Sequence, residues 1–137
     1  MALVAVLWLT ACGGTPQSTS PGASKTDVVQ TQSAENGVVT LRVSPATFGY
    51  NRFSVTVKDT KGMPVGHASV EIFISMLDMN MGTEPIKLKP PGGASSGQYT
   101  GGGELSMAGR WQVSVKVALS QNTPSFSVNF RFSVTYS

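Results

Sequence analysis

Four methionines stand in two short, turn-rich segments. Met76, Met79 and Met81 fall within residues 75–82 (SMLDMNMG), and Met107 falls within residues 105–109 (LSMAG). A thioether is a soft, neutral donor, and such sulfur ligands select Cu(I) over harder divalent ions. They also stay available outside the cytoplasm, where exposed thiols oxidise. In an extended segment Met79 and Met81 point to the same side. That makes them the leading candidate ligands, with Met107 and Met76 as third and fourth. The competing reading is adaptable packing. Met76 continues the apolar row of Val70, Ile72 and Ile74, and Met107 stands near Trp111, placed for a sulfur–aromatic contact.

The other reactive side chains are few. One cysteine, Cys12, excludes an internal disulfide, and one histidine, His67, leaves no classical zinc site of Cys and His ligands. Nine residues separate His67 from Met76, about 30 Å along an extended strand. His67 is therefore expected at the other end of the fold, on the surface. Asp78 and Glu84 flank the methionine segment, where they read as solvated loop carboxylates. No acid, base and nucleophile are placed to converge, so the chain is not expected to be an enzyme.

Ten basic residues oppose seven acidic ones, a formal charge of +3, and the bases form no cluster. Nucleic-acid binding needs a concentrated basic face or base-reading elements, and neither is present. The run 101–103 (GGG) lacks the strand-to-helix context of a phosphate loop and reads as a bulge or bend.

Residues 1–9 (MALVAVLWL) form an apolar run too short to span a membrane as a helix, which takes about 20 residues. The run ends in Leu9-Thr10-Ala11-Cys12, followed by two glycines. This resembles a signal peptide closed by a bacterial lipobox, whose cysteine takes a diacylglycerol. No Lys or Arg precedes Cys12, which a start codon placed too late would explain. The alternative is an apolar strand with a buried free thiol. The division expected is a signal peptide over 1–11, a lipidated Cys12 with a flexible tether over 12–36, and a folded domain over 37–137. The tether reading rests on the Gly, Ser, Thr, Pro and Gln content of that segment, which buries too little apolar surface to offset ordering.

From Val38 the apolar residues recur with period two, the strand signature. Val39, Leu41 and Val43 form one inward row; Phe53, Val55 and Val57 the next; then Val70 to Met76, Ile86 and Leu88, Tyr99 to Leu105, Trp111 to Leu119, and Phe126 to Tyr136. Residues 59–62 (DTKG) predict a turn, and Lys87 and Lys89 suit an edge strand. About seven short strands predict an all-β, immunoglobulin-like antiparallel sandwich, with a small closed barrel as the competing architecture. Consecutive antiparallel strands alternate direction. The loops at 45–51, 77–85 and 106–110 are therefore expected at one end, here the upper pole, and those at 59–66, 90–97 and 120–124 at the lower.

The segments 49–53 (GYNRF), 59–65 (DTKGMPV), 76–82 (MLDMNMG), 97–99 (GQY) and 105–111 (LSMAGRW) occur in that order. Together they resemble the YtkA-like domain, relatives of which include the FixH family and the C-terminal module of some copper-import membrane proteins. The resemblance covers about residues 38–136. It implies an immunoglobulin-like sandwich outside the cytoplasm and an association with copper handling or oxidase maturation. The expectation is a lipid-anchored extracytoplasmic lipoprotein that binds Cu(I). Its partners would be the membrane and a copper transporter or oxidase-assembly protein. The alternative is a non-catalytic interaction module without metal.

Overall fold

The structure is a computed structural model that describes residues 27–80, 82–90, 97–119 and 124–135. Eight strands are present and no helix occurs among the described residues. They are β1 (Val28–Ala34), β2 (Gly37–Ser44), β3 (Gly49–Lys58), β4 (Ser69–Met76), β5 (Glu84–Lys87), β6 (Gln98–Leu105), β7 (Gly109–Ala118) and β8 (Phe126–Val134). One sheet has the order β1-β2-β3-β6 and the other β5-β4-β7-β8, with every pairing antiparallel. The sandwich predicted from the alternating rows is therefore the architecture formed. A closed barrel is not, because β1 joins β8 through side chains, and β5 forms no ladder with β6: the backbone link on that side is the isolated bridge between Lys89, past the end of β5, and Thr100.

The inward rows follow the period-two pattern. Val39, Leu41, Val43, Phe53, Val55 and Val57 face Val70, Ile72, Val113, Val115, Val117 and Phe130 across the interior, and each is fully buried. The two inner faces each bury alternate residues, as a sandwich requires. Lys87 lies on β5, an edge strand, as its composition suggested.

The first strand corrects the expected boundary of the tether. Residues 28–34 pair along their whole length with β2, from Val28 opposite Val43 to Ala34 opposite Gly37, so the domain begins before residue 37. Only Val28, Gln30 and Ala34 of this strand are even half-buried, which is why no apolar row announces it. Its stability comes from the backbone ladder and from polar side chains. Gln30 and Gln32 donate through Nε2 to the backbone carbonyls of Arg131 and Asn129 on the edge of β8, and Thr31 pairs with Thr40 at 2.9 Å. The amides thus occupy acceptors that a sheet edge otherwise leaves open.

A second correction concerns residues 101–103. They are regular β6 residues paired to β3, not a bulge. Side chains there would displace their neighbours: a Cβ on Gly101 would lie 2.6 Å from Leu88 Cδ2, and one on Gly103 would lie 2.8 Å from Ile86 Cδ1. The glycines let β5 and its flank close over the open side of the sandwich.

A candidate site at the methionine pole

Strand alternation places the loops after β2, β4 and β6 at the upper pole, together with the C-terminal end of β8. The additional strand precedes β2, so it leaves the later alternation unchanged. Met76 ends β4, Met79 lies in the following loop, and Met107 lies between β6 and β7. Three of the four candidate ligands are thus at one end. Met81 and Cys12 lie outside the described residues. Met63 and His67, both exposed, are at the lower pole. His67 is a surface residue, as its distance from the methionines predicted.

The three methionines differ in setting. Met76 is buried at 8% exposure and pairs in register with Trp111 on β7. Its terminal methyl packs over Gly109, where a Cβ would come within 2.5 Å of it. Packing is its first role. Met107 is half-buried against the core. Its backbone carbonyl accepts the indole N–H of Trp111 at 3.0 Å, so the loop backbone ties Met107 to that ring. Met79 is 51% exposed.

Asp78 is exposed, as its loop position suggested, but it is not without a partner. Its Oδ2 accepts the backbone N–H of Arg110 at 2.9 Å, and its Oδ1 accepts Nε at 2.9 Å and Nη2 at 2.6 Å. The side-chain hydrogen bond from Arg110, helped by the backbone one, holds the Asp78 carboxyl below the usual carboxylate range. The same pairing raises Arg110. With the Leu77 N–H bonded to the Arg110 carbonyl at 2.8 Å, the start of the methionine loop is clamped to the start of β7. Both carboxylate oxygens are engaged, so Asp78 is not an open ligand.

Beside this clamp, a cavity of about 580 Å³ opens between the start of β5 and the end of β6. Met76, Ile74 and Trp111 form its inner wall, and Tyr50, Ile86 and Glu104 stand toward its mouth. The sequence reading found neither the cavity nor Tyr50 and Glu104. Both residues take the outward parity of their strands, and nothing local indicates that Tyr50 lies across Gly102. Among the described residues no group of three or more His, Cys, Asp or Glu side chains is arranged to hold a metal. Of the methionines at this pole, Met76 lines the cavity, while Met79 and Met107 stand on the loops at the same end.

The loop opposite is held by one buried polar side chain. Asn51 is fully buried; its Oδ1 accepts the Thr47 N–H, and its Nδ2 donates to the carbonyls of Thr47 and Gly49. This satisfies the backbone of the turn that presents Phe48 and Tyr50.

Comparison with known proteins agrees with this architecture. A copper-bound variant of FetP from uropathogenic Escherichia coli strain F11 superposes with a TM-score of 0.58 at 7% identity, covering 78% of this chain and 96% of that one. A DUF4426 family protein from Pseudomonas aeruginosa PAO1 gives 0.57 at 16%, covering 79% and 98%. The PmoD soluble domain from a Methylocystis species gives 0.51 at 12%, covering 77% and 96%. These likenesses concern the fold. No curated protein matches the sequence. The profile of the YtkA-like family matches residues 31–116, more than half of the chain and most of the sandwich just described. The chain belongs to the YtkA-like family.

Proposed function

We propose that this protein is a lipid-anchored, extracytoplasmic accessory protein that holds Cu(I) at its methionine pole, in copper handling or oxidase maturation. The observation that carries the reading is the arrival of Met76, Met79 and Met107 at one end of the sandwich from two separate loops, with Met81 in the same segment as Met79. Neutral thioethers suit a soft monovalent ion, and the nearest described carboxylate, Asp78, is already engaged by Arg110. The fold shared with a copper-bound FetP variant points the same way. In this reading the exposed Met79, with Met81, captures the ion; Met107 supplies a third sulfur; Met76 closes the site from below. Anchoring rests on the lipobox-like sequence before Cys12. It is tested by recovery of the protein in the membrane fraction and its release in Cys12→Ser.

A Cu(I) titration against a chromophoric chelator under reducing conditions tests the metal. Met79→Leu/Met81→Leu should lose tight binding while the thermal transition is kept. Equal, weak binding by wild type and variant would end the copper reading. It would favour a metal-free interaction module, which the exposed Phe48, Tyr50 and Leu77 at the same pole independently support.

A further inference from the structure

Apolar exposure on this domain is one-sided. Among the described residues, the exposed large hydrophobic side chains at the upper pole are Val29, Phe48, Tyr50, Leu77 and Met79, between 39% and 72% exposed; Met63 alone is at the lower pole. The described lysines, Lys58, Lys61, Lys87, Lys89 and Lys116, all lie in the lower half. Two of the upper pole's charged pairs are closed within it, Asp27 with Arg42 at 2.7 Å and Asp78 with Arg110 at 2.6 Å. Among the described residues, Arg52 and Arg131 are balanced there by Glu84 and Glu104, which leaves no excess of positive charge.

The described chain also begins at that pole. Asp27 precedes Val28, which pairs with Val43, and its Oδ1 accepts the Ser44 hydroxyl at 2.8 Å. Fourteen residues separate Cys12 from Asp27. Fully extended, a chain of that length reaches at most about 50 Å. The ten-residue β3 spans the domain from pole to pole, about 33 Å. Resting on the lower pole would therefore take up most of that reach along the domain, whereas resting on the upper pole requires little of it.

From the coincidence of the chain's point of entry with the exposed apolar side chains, we infer that the upper pole lies against the lipid surface, with Tyr50, Phe48, Leu77 and Met79 at the interface. This rests on Cys12 being the lipid anchor of the proposed function. Amphipathic and aromatic side chains suit the headgroup level. Lysines at the far end keep their hydration in this orientation, and the absence of excess positive charge makes the contact apolar rather than electrostatic. The methionine loop then faces the membrane, where a membrane-embedded partner is within reach.

Nitroxide labels on Leu77→Cys and, separately, Met63→Cys test the orientation in the lipidated mature chain, where the Cys12 thiol is consumed by its lipid. The labelled proteins are bound to phosphatidylcholine vesicles with and without phosphatidylglycerol. The label at position 77 should lose collisions with an aqueous nickel chelate and gain collisions with oxygen. The label at position 63 should stay aqueous, and the anionic lipid should change neither. Both labels aqueous on sedimenting vesicles would overturn the orientation while leaving the anchor in place, as would protection at position 63. Failure of the wild-type chain to sediment with vesicles would overturn the anchor and this inference with it. Matching thermal transitions for the labelled chains exclude misfolding as the cause.

Discussion

Arg110 grips Asp78 with three hydrogen bonds, one from its backbone and two from its guanidinium, across 32 positions of sequence. The pairing favours the charged carboxylate and so lowers the Asp78 pKa in the folded state. A lowered folded pKa contributes stability that is present above the unfolded value, near pH 4, and is lost as pH falls through the folded value. Wild type should therefore lose its advantage over Asp78→Asn progressively below about pH 4, and keep it unchanged from there to neutrality. Urea midpoints across that range measure the difference. Because both side chains meet solvent, the effect should be small and should shrink with added salt. Its main consequence is local: Arg110→Gln should speed amide exchange at the beginning of the methionine loop.

Gly109 has a φ of +142°, and a Cβ there would lie 2.5 Å from the Met76 methyl and 3.0 Å from Asp78 Oδ2. Gly109→Ala should cost about 1–3 kcal/mol through backbone strain and overpacking. Pairing it with Met76→Ala should relieve the collision but not the backbone strain, so the two changes should be less than additive. A double-mutant cycle by chemical denaturation reads the coupling. Strict additivity would show that the methyl does not press on this glycine.

Asn51→Leu should destabilise the domain by about 1–3 kcal/mol, because it strands the Thr47 N–H and the carbonyls of Thr47 and Gly49 beside a fully buried site. The denaturation midpoint measures this. Asn51→Asp should be comparably harmful, since it removes the two donated hydrogen bonds and buries a charge. A neutral outcome for both would mean that water can satisfy the turn.

The β1 strand should be the least protected part of the first sheet. It buries little and depends on side chains that reach β8. Gln30→Ala/Gln32→Ala should lower global stability by no more than about 1 kcal/mol per residue, while exchange of β1 amides rises clearly above that of β2. Hydrogen exchange followed by mass spectrometry resolves the two strands. Parallel acceleration of both would show that β1 is integral to the cooperative core.

Most of the sandwich was legible without coordinates. The rows Val39–Val43, Phe53–Val57, Trp111–Val117 and Val128–Val134 alternate strictly, Val70–Met76 does so except for Phe73 on the outward side, and burial follows them residue by residue. The cause is geometric: a strand presents alternate side chains to opposite faces, so a half-buried strand writes its orientation into its composition. Direction alternates with each strand, which was enough to put Met76, Met79 and Met107 at one pole and His67 at the other.

The unreadable parts are those held by polar contacts between distant residues. β1 has almost no apolar face, so its place at the sheet edge follows from its ladder with β2 and from the amides of Gln30 and Gln32 on β8, about a hundred positions away. The partnership of Asp78 with Arg110, the lie of Tyr50 across Gly102 and the cavity beside Trp111 likewise exist only once the two sheets have met. Periodicity in a chain records which face of an element is buried. It carries no record of which remote hydrogen-bond partner a polar side chain will find, because that pairing is decided by the packing of elements against one another.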